Sequence, residues 1–195
     1  SGRVSAMSLA ELKLLDAGYR WSADGAAIYP FRGKGITVPT LEEVFDAFPD
    51  QHMVIEIKSQ SPALATALCH QVRAREKTDQ VLVASFRTAT IEAFRAACPE
   101  VATAVSFSEG LTFFVLNRLH LEAAFQPPAQ ALQVPEYFGK LHVVGQRFVH
   151  SARAHNMQVH VWTVNEPEAM QRLLDLGVDG LITDHPGRLL TLLLR

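Results

Sequence analysis

Residues 55–58 place a carboxylate and an ammonium group two residues apart in a β-branched run, Ile55-Glu56-Ile57-Lys58. Because side chains alternate across a strand, Glu56 and Lys58 share one face and the two isoleucines share the other. A carboxylate is a ligand for a hard divalent cation, and a neighbouring lysine can hold a phosphoryl oxygen. This pattern indicates phosphate-ester chemistry, but an ion pair holding neighbouring strands fits the same spacing. The spacing alone leaves both interpretations open.

A second candidate segment is Val159-His160-Val161-Trp162, which alternates in the same way. It directs His160 and Trp162 toward the interior of the predicted sheet. Trp162 either walls a small-ligand pocket or only packs, and the pattern does not decide between the two. His160 is predicted to be a hydrogen-bonded core histidine. The sequence contains no HExxH, no phosphate-loop spacing around Gly33-Lys34-Gly35 and no GxSxG elbow.

These residues belong to a repeated unit of a short apolar strand followed by a capped amphipathic helix. Asn165, for example, is predicted to cap the helix that begins near Pro167. Six such units predict an α/β protein with a parallel sheet, two units short of a closed TIM (β/α)8-type barrel. In such barrels the functional groups lie at the carboxyl ends of the strands. The predicted strands cover residues 53–57, 81–86, 101–106, 131–134, 159–164 and 180–183.

Composition excludes several classes of function. The 195 residues are 48% hydrophobic with a formal net charge of -2, which offers no basic surface for nucleic acid. There is no apolar stretch long enough for a membrane span and no signal-peptide core, so we expect a soluble, cytoplasmic protein. Cys69 and Cys98 lack CxxC spacing, and both are predicted to be buried free thiols rather than disulfide or zinc ligands.

Several segments, taken in order, resemble the glycerophosphodiester phosphodiesterase family. The resemblance runs along nearly the whole chain, and five motifs at the expected intervals make it specific. The motifs are VPTLEEV at residues 38–44, IEIK at 55–58, SF at 85–86, VWTVN at 161–165 and GVDGLITDHP at 177–186.

This resemblance implies a TIM barrel that hydrolyses a small-molecule glycerophosphodiester to an alcohol and glycerol 3-phosphate with a divalent cation, Mg²⁺ or Ca²⁺. By position, it implies that Glu56 and Lys58 are catalytic, with Glu56 as a metal ligand and Lys58 as a phosphate contact. It also implies that Phe86 and Trp162 belong to the substrate pocket. Periodicity does not say whether Phe86 or Ser85 faces inward.

The family's first-strand HRG, its Glu-x-Asp metal pair and its second catalytic histidine have no counterpart in the sequence. We therefore expect one domain over residues 1–195, in which residues 1–35 are the remnant of an insertion and residues 36–195 form barrel strands three to eight. The first two βα units would be absent, so the chain alone should have little or no activity and should self-associate through exposed barrel edges. A phosphate- or partner-binding fragment is the alternative function, and a Schiff-base lysine at position 58 is a third.

Overall fold

The computed structural model describes residues 2–22, 25 and 27–194, which form two compact units within residues 1–51 and 52–195. The first unit contains two short helices, α1 (Leu9–Lys13) and α2 (Leu41–Ala47). Each begins with a capping box, for which Ser8-Leu9-Ala10-Glu11 and Thr40-Leu41-Glu42-Glu43 are the sequence signatures. The Ser or Thr side chain accepts a hydrogen bond from the backbone N–H three residues on, and the glutamate there accepts one from the backbone N–H of the Ser or Thr. Both helix starts are thus determined by local sequence.

Between α1 and α2, the carboxylate of Asp16 organises the loop. It accepts hydrogen bonds from the backbone N–H of Gly18 at 2.9 Å and from that of Gly33 at 2.7 Å. The N–H of Gly33 is therefore already occupied by an anion from the same chain. This agrees with the sequence interpretation that the segment Gly33-Lys34-Gly35 is an ordinary loop and not a phosphate cradle.

The second unit alternates strands and helices. In chain order its elements are β1 (Met53–Glu56), α3 (Pro62–Ala74), β2 (Val81–Ala84), α4 (Thr88–Ala97), β3 (Ala102–Thr103), α5 (Phe107–Arg118), β4 (Ala131–Pro135), β5 (Tyr137–Phe138), β6 (Leu141–His142), α6 (Gln146–Ala154), β7 (Gln158–Trp162), α7 (Pro167–Leu176), β8 (Gly180–Leu181) and α8 (Pro186–Leu193).

Six of these strands are parallel and neighbour one another in chain order. They form the sheets β1-β2-β3 and β4-β7-β8, and a parallel bridge between Ala104 and Ala131 connects the two. The register sets Glu56 beside Ala84 and Pro135 beside Trp162, so the carboxyl ends of the strands meet at one edge. This confirms the predicted parallel α/β architecture of TIM-barrel type.

The core of this unit lies between the strands and the helices that cover them. Phe113 of α5 is fully buried, and its ring lies edge-on to those of Phe125 and Phe148, with centroid distances of 5.2 and 5.1 Å. The strand residues Val159 and Val161 are also fully buried against this cluster. Alternation on β7 thus directs the valines to the helices and His160 to the other face, as predicted.

The prediction of two free thiols is wrong. Cys69 of α3 and Cys98, which directly follows α4, are both buried as expected, but they form a disulfide with their Cα atoms 5.7 Å apart. Helices that flank consecutive parallel strands lie side by side, so residues 29 positions apart become neighbours. The usual cysteine motifs do not describe this arrangement, which explains why the spacing gave no signal.

Two local predictions are also corrected. The helix after β7 has Glu166 and not Asn165 at its N-cap, with no side-chain capping bond. The Asn165 amide instead donates to Asp184 at 2.9 Å and accepts from the Thr183 hydroxyl at 3.1 Å. The Asn165 side chain is therefore bonded to residues that follow β8 and does not cap α7. The hairpin of β5 and β6 follows β4 in a stretch for which the sequence predicted no strand.

Among the described residues, β1 pairs only with β2 and β8 only with β7. Self-association through these edges, the missing front units and the single-domain division stay predictions. In the same part of the chain, none of the helices combines the length and the apolar character that crossing a bilayer demands.

Candidate functional site

A cavity of about 580 Å³ opens at the carboxyl edge of β1 and β2, within the second unit. Its lining combines one carboxylate, two cations and two aromatic rings. The lining residues are Glu56, Ile57, Lys58, Phe86, Arg87 and Phe107. They come from the ends of two strands and from the first residue of α5, which is where a parallel α/β barrel places its functional groups.

The predicted pair of Glu56 and Lys58 meets in this cavity. The Lys58 ammonium lies 3.0 Å from a Glu56 carboxylate oxygen, and Ile57 between them is buried. The Lys58 side chain is 81% exposed, and both partners come from the end of the same strand. The pair therefore does not hold neighbouring strands together, and an exposed ion pair contributes little to stability.

The structure resolves which residue of the Ser85-Phe86 pair faces the cavity. The Ser85 hydroxyl is buried and donates to the backbone carbonyl of Ile57 at 2.9 Å, so it links β2 to the end of β1. Phe86 points the other way and is exposed. Its ring contacts that of Trp162 edge-to-face, with a centroid distance of 5.8 Å. Trp162 thus contacts Phe86 but is not among the residues that line the cavity.

Besides the buried Ile57, two lining residues were not predicted as site residues from the sequence. Arg87 directly follows Phe86 and brings a guanidinium group to the same cavity as Lys58. Phe107 begins α5, and its backbone N–H donates to the carbonyl of Phe86 at 3.3 Å, which brings the two aromatic residues to one rim. The signal for Phe107 was present, because Ser106 and Glu109 form a capping box that fixes where α5 begins.

The histidine at position 160 lies away from this cavity. It lines a second cavity of about 260 Å³ with residues from the amino ends of the strands, including His52 and Met53. Its ring nitrogens lie 3.4 Å from the Gln133 amide and 3.1 Å from the Gln158 amide oxygen. Burial lowers the pKa of His160, and the nearby Asp179 carboxylate offsets only part of this effect. These contacts confirm that His160 is hydrogen-bonded, but its side chain is only half-buried, so the prediction of a core histidine is wrong.

The site residues do not by themselves fit a divalent cation. Among residues 2–22, 25 and 27–194, there is no cluster of three histidine, cysteine or acidic side chains that could hold a metal ion. Glu56 supplies the one carboxylate of the cavity, and its oxygen already contacts Lys58. Mg²⁺ and Ca²⁺ require about six or more oxygen ligands. A cation bound by Glu56 therefore needs further ligands.

Comparison with known proteins identifies the family. The profile of the glycerophosphoryl diester phosphodiesterase family matches residues 1–188. The chain is 31% identical to a probable glycerophosphodiester phosphodiesterase 2 of Mycobacterium tuberculosis, over 78% of this chain and 59% of that protein. It is also 31% identical to a glycerophosphodiester phosphodiesterase of Bacillus subtilis, over 95% of this chain and 64% of that protein. The chain thus spans less than two thirds of the length of these two relatives.

A solved structure shows the same fold. The phosphodiesterase of Oleispira antarctica, described in complex with the product sn-glycerol-3-phosphate, superposes on the whole chain and on 73% of its own chain with a TM-score of 0.69 at 21% identity. The sequence motifs, the carboxyl-edge cavity and the order of parallel strands agree with this relationship. The chain belongs to the glycerophosphoryl diester phosphodiesterase family.

Proposed function

We propose that the cavity binds the phosphodiester group of a glycerophosphodiester and that the protein hydrolyses it to an alcohol and glycerol 3-phosphate. The observation that carries this proposal is the meeting of Lys58 and Arg87 in one cavity at the carboxyl edge of the sheet. A phosphodiester has one negative charge shared by two oxygens, and two cations match it. The family relationship supports the choice of a glycerol-containing diester.

In this proposal Lys58 and Arg87 hold the non-bridging oxygens, on which negative charge grows as the phosphorus atom is attacked. Their attraction is stronger in the transition state than in the ground state, which is the requirement for catalysis. Glu56 keeps the Lys58 ammonium at the cavity mouth through their 3.0 Å contact. Phe86 and Phe107 form an apolar rim beside the bound phosphate.

The metal role stays a proposal based on the family resemblance. It assigns Glu56 as one oxygen ligand of Mg²⁺ or Ca²⁺, and the described residues form no group of three histidine, cysteine or acidic side chains that would complete the site. Trp162 is assigned a supporting role, because it contacts Phe86 and not the cavity. A Schiff-base role for Lys58 has less support, since burial in an apolar pocket activates such an amine, whereas the Lys58 side chain is 81% exposed and contacts a carboxylate.

A second candidate function is phosphate binding without hydrolysis. It is favoured by the composition of the cavity, because none of the six described residues that line it is a histidine that could act as general acid or base. The same two cations would then serve binding alone. Hydrolysis and binding alone therefore differ in whether the diester is turned over, and both require Lys58 and Arg87.

Two measurements distinguish them. The first follows release of glycerol 3-phosphate from glycerophosphocholine with Mg²⁺ or Ca²⁺, with and without EDTA. The second measures calorimetric binding of glycerol 3-phosphate in EDTA. Lys58→Met or Arg87→Met should each weaken binding about tenfold or more, because a charge-assisted hydrogen bond contributes roughly 1.5–3 kcal/mol. Glu56→Gln should abolish turnover, whereas Glu92→Gln, on the exposed side of α4, serves as the matched control.

The results separate the possibilities clearly. Turnover that needs the cation and Glu56 supports hydrolysis and its metal role. Full turnover in Glu56→Gln would show that the metal role is wrong. Metal-independent binding without turnover supports the second function, and a protein that neither binds nor hydrolyses would refute both.

A further inference from the structure

The outer face of α5 is apolar where a helix at a protein surface is normally polar. Phe107, Leu111, Val115 and Leu119 follow one another at intervals of four residues and therefore share a face. Their exposed fractions lie between 44% and 61%, although Phe113 on the opposite side is fully buried. A surface helix normally has one apolar stripe that faces the core and polar residues on its other side. In α5, the described residues of the second unit bury Phe113 but leave these four apolar side chains exposed, together with Ser108 and Thr112.

This apolar stripe continues onto the hairpin formed by β5 and β6. Tyr137 and Phe138 are 53% and 63% exposed, and the hairpin turns at Gly139, which has a φ of 61°. The ring of Phe138 lies 6.3 Å from that of Phe107. We call the combined area the outer apolar surface and define it by Phe107, Leu111, Val115, Leu119, Tyr137 and Phe138. Exposed areas of this kind mark interaction sites.

The charges around the outer apolar surface are mainly positive. Lys140 lies at the exposed tip of the hairpin, and the exposed Arg118 lies 5.4 Å over the ring of Phe114 and donates to the carbonyl of His142. The acidic side chains nearby are neutralised by arginines. The three pairs are Glu109 with Arg95, Glu122 with Arg147, and Glu136 with Arg172. Aromatic and aliphatic side chains flanked by cations match an anionic lipid surface.

The position of the surface fits the same partner. Phe107 belongs both to the outer apolar surface and to the lining of the cavity that holds Lys58 and Arg87. A lipid layer in contact with α5 and the hairpin would therefore lie beside the mouth of the phosphate-binding cavity. Tyr and Phe rings are favourable at the level of lipid headgroups, where an apolar ring meets a polar boundary.

We propose that the outer apolar surface docks the protein onto an anionic lipid–water interface. The inference concerns binding alone and does not depend on whether the cavity hydrolyses diesters. The apolar side chains enter the boundary between headgroups and acyl chains, and Lys140 and Arg118 contact the anionic headgroups. Attachment is peripheral and reversible, because six partly buried side chains bind far more weakly than a spanning helix.

The test is co-sedimentation of the purified protein with vesicles of phosphatidylcholine and phosphatidylglycerol, compared with vesicles of phosphatidylcholine alone. The wild type should bind the anionic vesicles more strongly. Leu111→Ser combined with Phe138→Ser should lower partitioning at least about tenfold, because each loses most of a buried apolar side chain. Lys140→Gln should lower binding to anionic vesicles about fivefold. Leu64→Ser, at a 46% exposed leucine on α3, should bind as the wild type does.

A second readout does not depend on loss of binding. Phe138→Trp should become sensitive to quenching by brominated phosphatidylcholine, whereas Leu64→Trp should not. Circular dichroism of each variant verifies that the fold is kept. The proposal is overturned if the wild type fails to sediment with anionic vesicles, if Leu64→Ser loses as much binding as the double variant, or if Phe138→Trp is not quenched. It is also overturned if the wild type is a dimer that the double variant converts to monomers without any lipid binding, which would make the surface an interface between two copies.

Discussion

The ion pair between Glu109 and Arg95 is one of the contacts that fix the start of α5 to the neighbouring elements. The two side chains bond in parallel, at 2.7 and 3.1 Å, and each is only 16% exposed. Arg95 also donates to the Thr103 hydroxyl at 2.9 Å. The Glu109 carboxylate further accepts from the backbone N–H of Ser106 at 2.7 Å. One carboxylate thus receives three hydrogen bonds from two elements.

We predict that Glu109→Gln lowers the free energy of unfolding by about 3 kcal/mol at about pH 7. Glutamine keeps the shape but has a single acceptor oxygen, so at least one of the three bonds is lost and its amide N–H₂ faces another donor. Loss of a charged hydrogen bond costs roughly 1.5–3 kcal/mol, and breaking a buried ion pair costs about 3–5 kcal/mol. Because each side chain is 16% exposed and some water reaches the pair, we expect a loss at the lower end of the range for a buried ion pair.

The effect should depend on pH in a defined direction. Burial opposes ionisation of Glu109, but the hydrogen bonds from Arg95 and from Ser106 outweigh it and lower the pKa of this carboxyl below its ordinary value of 4.5. A carboxyl group whose pKa is lower in the folded than in the unfolded protein stabilises the folded state, and this stabilisation is fully present above the pKa of the unfolded protein. It is lost as the pH falls from there through the pKa of the folded protein. The difference between Glu109→Gln and the wild type should therefore shrink at about pH 3.

Urea unfolding followed by circular dichroism at both pH values measures the difference. Glu92→Gln, on the exposed side of the neighbouring α4, is the matched control and should change the unfolding free energy by less than about 0.5 kcal/mol. A loss below about 1 kcal/mol at neutral pH would refute the reasoning about burial. A loss that stays the same at both pH values would refute the reasoning about charge.

Two further predictions concern stability. Replacing both Cys69 and Cys98 by alanine should lower the free energy of unfolding by about 3–4 kcal/mol, because a crosslink across 29 residues is lost. Thermal unfolding measures this loss. The wild type in reducing agent should show a similar loss. Gly180→Ala should lower the free energy of unfolding by roughly 1–3 kcal/mol, because the new Cβ would lie 2.9 Å from the ring of His160. Gly187→Ala in α8 should instead raise the free energy of unfolding by up to about 1 kcal/mol, because the new Cβ meets no atom within 4 Å. Equal effects of the two glycine substitutions in urea unfolding would contradict the packing argument.

Features that depend on local periodicity were predictable from the sequence. The alternation of apolar and polar residues predicts that Glu56, the last residue of β1, and Lys58, two residues on, point the same way, and the structure brings their charged groups to 3.0 Å. The two capping boxes of α1 and α2 were also predictable, because each bond joins residues three positions apart. The roles of these residues in catalysis stay predictions until they are measured.

Features that depend on distant neighbours were decided by the tertiary structure alone. The disulfide of Cys69 with Cys98 requires α3 and α4 to lie side by side, and the contact of Phe86 with Trp162 requires their strands to face each other across the barrel. Arg87 lines the same cavity as Lys58, and Ser85, two residues before it, is bonded to the carbonyl of Ile57. Strand periodicity tells which residues share a face, since it is a property of one segment. Which faces then meet depends on how separate segments pack, and a single sequence does not contain those distances.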